Sequence, residues 1–415
     1  MSQVLEPTGT GDAGQTGKTY TLVSWLPSVR VSGRPRPAST LQEDAVTVFL
    51  AAFTLVALFW DGLRHNGLTG VDNFFSPPHI AMYAGLTGLG VWIAIVLLRY
   101  QKGLDDLDFS LVPRGYALAF VALPLAAIAG PADFIWHEAY GFENQIDSTF
   151  SPPHQGLFYA GAMLAAIPVA SAWQRRGTAP SFKEFLPAVF SMTSVIAAML
   201  FVVHQIVPFY GGGVVATQAF QDDIAGRADA FSPGADAVHT EGLARALTHY
   251  GDEAFPYYFF STHLGVAGIL LFTIALMGGI LLLRRRWAIP AGSLTVMCTF
   301  LALLWPMLSQ YREAELIPAL VLTGVVGDLL LARFAGKPGP TPVGRVRLFA
   351  ALMPPAMWAL FFLCVEVFQD GLGWASTLWV GVLATTAGLG WAISMLVFTP
   401  FSGAVSEQQV LTEGA

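Results

Sequence analysis

Two segments of the chain repeat one set of residues that could bind a metal ion. The first segment holds Asp61, His65 and the run Ser76-Pro77-Pro78-His79. The second holds Asp133, His137 and the run Ser151-Pro152-Pro153-His154. Each segment offers one carboxylate and two imidazoles, a donor set that suits copper, iron or zinc better than magnesium or calcium. We therefore predict that these two aspartates and four histidines are metal ligands.

The spacing within each segment predicts how a fold would present these donors. An Asp and a His four residues apart lie on one face of a helix end and can approach the same ion. Ser followed by Pro-Pro is typical of a helix start, because the hydroxyl can cap free amides and proline is tolerated in the first turn. Each segment is therefore predicted to be a helical hairpin, with its last His in the first turn of the second helix.

The two segments are related by duplication. The Asp and the first His recur after 72 residues, and the Ser-Pro-Pro-His run recurs after 75, so the second copy has three more loop residues. An internal repeat of one hairpin explains this pattern. The two copies could bind one metal each or share a dinuclear centre. In the alternative without metal, Asp and His only hydrogen-bond each other and tie the hairpins together.

The pattern of Asp, His four residues later and a second His at the next helix start resembles a known metal site. It is similar to that of the C subunit of the copper membrane monooxygenases, which oxidise methane or ammonia. That family's motif is Asp-x3-His-x12-His, whereas 13 residues separate His65 from His79 here and 16 separate His137 from His154. The resemblance covers these short stretches only. It implies copper as the first choice of metal, oxidoreductase activity, and a membrane or periplasmic protein partner.

Composition predicts which elements position the motifs. The chain is 54% hydrophobic and 12% charged, about half the charged fraction usual in soluble domains. We predict an all-α, polytopic transmembrane helix bundle with about ten spans, since about 20 apolar residues cross a bilayer core. The approximate spans are 45–60, 80–100, 115–132, 155–173, 183–208, 257–283, 288–306, 314–334, 347–366 and 375–398.

The domain organisation follows from these spans. Residues 43–175 hold the duplicated hairpins, and 176–400 form the remaining bundle with a long outer loop at 211–256. Residues 1–42 are predicted to be a disordered cytoplasmic tail without a signal peptide, and 401–415 a second cytoplasmic tail. Cys298 and Cys364 lie inside spans, which excludes a disulfide framework.

The distribution of basic residues predicts the orientation. With both termini in the cytoplasm, all but four of the 21 Lys and Arg lie on the cytoplasmic side, as the positive-inside rule expects. This predicts a multi-pass protein of the plasma (inner) membrane with the motifs on the outer side. A metal ion or a small-molecule substrate would then arrive from outside. Nothing in the sequence suggests nucleic-acid binding.

Other ionisable residues fall within or beside the predicted spans. Such groups are costly in a bilayer and often mark functional sites. We take His204, His263 and Glu315 as candidate catalytic residues, with Glu366 as an outer carboxylate near the site. Asp328 is interpreted as structural, paired with Arg333. The loop histidines His239 and His249 are predicted not to be ligands.

The sequence favours a metal-dependent membrane oxidoreductase using copper or iron. In this hypothesis an open coordination position takes oxygen or substrate, and His204 or His263 moves protons. A transition-metal transporter or metal-handling protein is the alternative. A haem protein using His204 with His263, or a non-catalytic membrane subunit, are further possibilities that the sequence leaves open.

Overall fold

The fold is built from α-helices, as predicted from composition. The computed structural model describes residues 18–20, 29–31, 35–66, 74–103, 107–141, 146–175, 177–210, 254–312, 314–335, 342–369 and 371–398. In these ranges the helices are α1 Leu41–Asn66, α2 Pro77–Arg99, α3 Ala119–Tyr140, α4 Ile146–Phe150, α5 Pro152–Gln174, α6 Phe182–Phe201, α7 Ala254–Arg286, α8 Ser293–Leu304, α9 Ile317–Phe334, α10 Val343–Phe368 and α11 Ser376–Val397.

Short elements join or extend these helices. The 3-10 turns are Phe109–Leu111, Gly115–Leu118, His204–Ile206, Trp305–Ser309 and Ala314–Leu316. The strands are β1 Lys18–Tyr20, β2 Val29–Val31 and β3 Leu107–Asp108. β1 pairs antiparallel with β2, and β2 pairs parallel with β3. Two of these strands therefore fall within the predicted N-terminal tail.

Most of the helices are long and apolar enough to cross a membrane. Nine such helices occur in the described part of the chain, and Ser293–Ser309 is a shorter apolar one. The predicted all-α bundle of about ten spans is confirmed. Several helices continue beyond their predicted spans, most of all at the ends of α1 and α3, because a charged residue ends an apolar stretch without ending the backbone hydrogen bonding. α1 thus reaches Asn66 and α3 reaches Tyr140. In contrast, α6, predicted to reach residue 208, ends at Phe201.

The chain forms two compact units. The first comprises residues Met1–Arg176 and Leu186–Ala198, and the second comprises Gly177–Phe185 and Met199–Ala415. In the first unit α1 packs on α2 and α3 packs on α5, which are the two predicted hairpins. α1 also packs on α5, and α2 contacts α3. These contacts bring the two hairpins side by side.

Two local features of the sequence determine where α1 begins and how closely the turn before α3 packs on α5. Thr40 and Glu43 form a reciprocal capping box, in which each side chain accepts a hydrogen bond from the other residue's amide at 3.1 and 2.8 Å. At Gly115 an added Cβ would lie 2.4 Å from the backbone nitrogen of Ser171. Only glycine permits the turn before α3 to approach α5 this closely.

A buried polar network joins the elements at the end of the first unit where α1 begins. The Asp44 carboxylate is 0% exposed and pairs with Arg175 at the end of α5. It also accepts hydrogen bonds from Ser39 Oγ at 2.9 Å and Tyr116 OH at 3.3 Å. Tyr116 OH lies 2.9 Å from Thr47 Oγ1. Burial of the carboxylate is compensated by one cation and two hydroxyls.

In the second unit α8 packs on α9, α9 on α10, α10 on α11, and α11 on α7. Asp328 of α9 accepts hydrogen bonds from the amides of Leu294 and Thr295 at 3.3 and 3.0 Å. The residue before α8 is Gly292, which has no side chain to cap the helix. Asp328 therefore has the expected structural role, but its partner is the start of α8. Arg333, the partner suggested by the sequence, lies over the Phe334 ring.

Candidate metal centre

The first hairpin presents its donors at a helix end and a helix start. Asp61 and His65 lie in the last turns of α1. Ser76 occupies the N-cap of α2 with extended backbone, and Pro77 and Pro78 open the helix, so His79 is its third residue. These placements agree with the hairpin predicted from the motif.

The second hairpin repeats this arrangement. Asp133 and His137 lie near the end of α3, and Ser151 is the N-cap of α5, which places His154 in the first turn. One detail of the prediction is wrong, because neither N-cap serine caps a helix amide with its hydroxyl. In the first hairpin, Ser76 Oγ instead lies 3.2 Å from Nδ1 of His79.

In each hairpin the two imidazoles converge on the carboxylate. Asp61 Oδ2 is 3.5 Å from His65 Nε2, and Asp61 Oδ1 is 3.3 Å from His79 Nδ1. Asp133 Oδ1 is 3.4 Å from His137 Nε2 and 2.9 Å from His154 Nε2. The polar atoms of each predicted triad are therefore close together.

The two hairpins form one cluster rather than two separate triads. The ring centroid of His65 lies 6.3 Å from that of His137 and 6.2 Å from that of His154. His79 lies 5.9 Å from His137 across the hairpins. The donor atoms form two sets, namely Asp61/His65/His79 and His79/Asp133/His137. Within each set, the donor atoms lie within 4.8 Å of one another. His79 belongs to both sets, which sequence spacing did not predict.

The whole cluster is buried. His79 and Asp133 are 0% exposed, and the other four residues are at most 6% exposed. Removing a carboxylate from water costs several kcal/mol unless a cation and hydrogen bonds compensate it. Neutral imidazoles supply hydrogen bonds but no charge. The donors and their burial together mean that the cluster could hold a metal ion.

Backbone carbonyls fix the orientation of two of the imidazoles. His137 Nδ1 lies 3.3 Å from the Gly141 carbonyl, and His154 Nδ1 contacts the Ser148 carbonyl. A carbonyl oxygen only accepts, so both Nδ1 atoms carry protons. In a neutral ring Nε2 then presents a lone pair towards Asp133 Oδ1. Lone pairs and a carboxylate oxygen repel unless a proton or a metal cation lies among them, and such outer hydrogen bonds are typical of metal-binding histidines.

Two aromatic residues complete the site and were missed by the sequence reasoning. Tyr83 OH donates a 2.5 Å hydrogen bond to Asp133 Oδ2. The Phe74 ring packs against His79 and His137, with centroid separations of 5.3 and 6.1 Å. Tyr83 lies four residues after His79, one turn along the same helix face. That spacing could have indicated that Tyr83 lies beside the metal-binding motif. However, sequence alone cannot tell a tyrosine that contacts the site from one that packs in the apolar core.

The remaining candidate catalytic residues lie in the second unit. His204 is buried, its Nδ1 donates to the Phe201 carbonyl at 2.9 Å, and its ring packs against Tyr210. Burial lowers the pKa of His204 to about 4, so its neutral form is favoured. His263 and Glu315 are exposed. The catalytic role of all three stays a prediction.

Two further groups complete the comparison with the sequence. The Glu366 carboxylate accepts a hydrogen bond from the Leu372 amide at 2.7 Å, which gives it a local structural role. His239 and His249, together with most of the outer loop 211–256, lie outside the described residues.

Comparisons with known proteins leave the site to be interpreted from its own residues. No protein-family model, curated protein or solved structure matches the chain. The resemblance to the C subunit of the copper membrane monooxygenases therefore rests on the two motifs. Copper, iron and zinc share the donor preferences found in this cluster.

Proposed function

We propose that this protein is an integral membrane metalloprotein with two transition-metal positions side by side in the first unit. The observation that carries the proposal is the convergence of four imidazoles and two carboxylates, all buried, from two copies of one hairpin. Asp61, His65 and His79 would hold one ion. Asp133 and His137 would hold the other together with His79, which belongs to both donor sets, and His154, whose Nε2 lies 2.9 Å from Asp133 Oδ1, would complete it.

The distances favour two positions over one. Imidazole and carboxylate ligands lie about 2.0 to 2.2 Å from a bound ion, so two donors of one ion are at most about 4.4 Å apart. Among the described residues the donors form two overlapping sets within 4.8 Å and not a single set of six. Each set needs only a small contraction to close around an ion. The shared His79 makes the positions neighbours.

We further propose that the centre belongs to an oxidoreductase and uses copper or iron. A bound copper or iron ion would supply one-electron redox capacity and Lewis acidity. The chain's own residues would orient the ligands and exclude bulk water. Anchoring of the His137 and His154 rings by backbone carbonyls favours a resident ion of fixed geometry over an ion in transit.

Metal analysis tests the first part of the proposal. The full chain is purified in detergent, and bound metals are measured by mass spectrometry for the wild type and for His137→Ala/His154→Ala. We expect about two ions per chain in the wild type and a loss of at least one in the variant, with an unchanged size-exclusion profile. His263→Ala is the matched control, because that imidazole is exposed in the second unit. Wild-type protein without bound metal would contradict the proposal, and a single ion would contradict the two positions.

Redox measurements test the second part. We expect the metal signal in electron paramagnetic resonance to change reversibly between oxidised and dithionite-reduced protein. A centre that holds only zinc would refute oxidoreductase chemistry. Metal uptake into proteoliposomes above the level of protein-free vesicles would instead support the metal-transport alternative.

A further inference from the structure

The two copies of the hairpin differ at one position next to the centre. Four residues after its second-helix histidine, the first copy has Tyr83 and the second has Phe158. Both rings stack on the histidine one turn earlier, with centroid separations of 6.3 Å for His79 and Tyr83 and 6.1 Å for His154 and Phe158. The positions are thus equivalent in packing, and the difference between them is one hydroxyl group.

That hydroxyl crosses to the other hairpin. Tyr83 belongs to α2, and it donates a 2.5 Å hydrogen bond to Asp133 Oδ2 on α3. The other oxygen of Asp133 faces His137 and His154. The Asp133 carboxylate is therefore held at both oxygens, by a neighbour on each hairpin.

Asp61 has a different environment. Its oxygens lie 3.5 Å from His65 Nε2 and 3.3 Å from His79 Nδ1. Phe158, the residue equivalent to Tyr83, has no hydroxyl to offer it. The duplication has therefore produced two carboxylates of the same type with different degrees of anchoring.

We propose that Tyr83 is a positioning residue that makes the two metal positions unequal, so that the Asp133 position binds its ion first and more tightly. The inference rests on the proposed two-metal function. A carboxylate already held in its binding orientation loses less conformational freedom when an ion arrives. Outer hydrogen-bond partners of metal ligands typically change affinity 10- to 100-fold when they are removed. Loss of the hydroxyl should bring the two positions closer in affinity.

The test is a titration of metal-stripped protein with Cu²⁺ alone. Full-length protein in detergent is treated with a chelator and then titrated with Cu²⁺ against a competitor of known affinity. Cu²⁺ is a suitable probe for any first-row site, because nitrogen and oxygen donors bind it most strongly among the divalent ions of that row. Electron paramagnetic resonance reports which environment fills at each step.

In the wild type we expect two steps, the first tighter than the second. Tyr83→Phe removes one oxygen atom and should weaken the first step about 10- to 100-fold and alter the spectrum of the first ion bound. Tyr159→Phe is the matched control, because it removes an exposed tyrosine hydroxyl from the same unit. It should leave both steps and both spectra unchanged.

The possible failures are distinguishable. If wild-type protein binds no Cu²⁺, the proposed function is wrong. If it binds two ions but Tyr83→Phe has the same steps and the same spectra, the role of Tyr83 is wrong while the metal centre stands. A hydroxyl with only a structural role would lower the unfolding temperature without changing the spectrum of the first ion, and that result would also contradict the inference.

Discussion

Replacement of His79 should affect both metal positions, whereas replacement of His65 should affect one. His79 is the residue common to the two donor sets, and His65 belongs to the set around Asp61. We therefore expect His79→Gln, which approximately keeps the buried volume, to release most of the bound metal. His65→Gln should release only the ion at the Asp61 position.

The size of the difference can be worked out from occupancy. Loss of an outer partner of a ligand weakens binding up to about 100-fold, and loss of a ligand should cost at least as much. At free metal tenfold above the Kd of the weaker position, each wild-type position is at least about 90% occupied. A 100-fold weakening leaves the weaker position about 10% occupied and a position that was tenfold tighter about 50% occupied. His79→Gln should then retain about 0.6 ions per chain and His65→Gln about 1.1, against about 1.9 for the wild type.

The assay is equilibrium dialysis in a metal buffer followed by elemental analysis. Size-exclusion chromatography of each variant establishes that the detergent-solubilised protein remains folded. Equal losses in the two variants would show that His79 is not shared. Full retention of metal in His79→Gln would refute the assignment of the cluster as the binding site.

Three further perturbations test buried interactions, one in the first unit and two in the second. Arg175→Met leaves the buried carboxylate of Asp44 without a cation and should lower the free energy of unfolding by about 3 kcal/mol. Arg114→Met, at an exposed arginine in the same unit, should change that free energy little. Equal effects of the two variants in a denaturant titration would contradict this prediction. Acidification should destabilise the second unit between about pH 6.5 and 4. In that range His204 is protonated in the unfolded chain but not in the folded one, where burial lowers its pKa to about 4. The loss of unfolding free energy approaches about 3 kcal/mol and should be absent from the pH profile of His204→Leu. Gly390→Ala places a Cβ 2.0 Å from the carbonyl oxygen of Ala350 and should lower the free energy of unfolding by about 1 to 3 kcal/mol. Gly388→Ala is the control, because the added Cβ there enters open space. Matching unfolding temperatures of these two variants would refute the close packing at Gly390.

The sequence could predict the helices and the donors because both depend on local patterns. Apolar runs of span length predict the long apolar helices, and the two motifs predict the polar side chains that converge within each hairpin. The membership of His79 in both donor sets depends on how α1 packs on α5 and α2 meets α3. No spacing within one hairpin contains that information. The same reason explains the missed Tyr83, whose hydrogen bond joins residues 50 positions apart.

Local patterns were also misleading where a polar side chain had a partner other than the expected one. Ser76 has the N-cap position that its sequence predicts, but its hydroxyl lies beside His79 instead of capping an amide. Asp328 was assigned a neighbour on its own helix, whereas its carboxylate accepts from the amides that begin α8. For Asp328 the reason is that the first amides of α8 need acceptors, which Gly292 has no side chain to supply.

The negative charges of Asp61 and Asp133 can be neutralised either by protons or by metal ions, and the two possibilities give different predictions. Without metal, the two buried carboxylates require protons within the cluster, either on the imidazoles or on the carboxylates themselves. With metal, the ions supply the charge and the imidazoles stay neutral. An ion that binds only the folded state stabilises it by about 2.7 kcal/mol when its concentration is 100 times its Kd. Chelator-stripped protein should therefore unfold at a lower temperature than Cu²⁺-loaded protein, and the gap should narrow in His137→Ala/His154→Ala, which lacks two of the proposed ligands. An unfolding temperature that does not respond to Cu²⁺ would instead favour the protonated cluster, in which Asp and His only tie the two hairpins together.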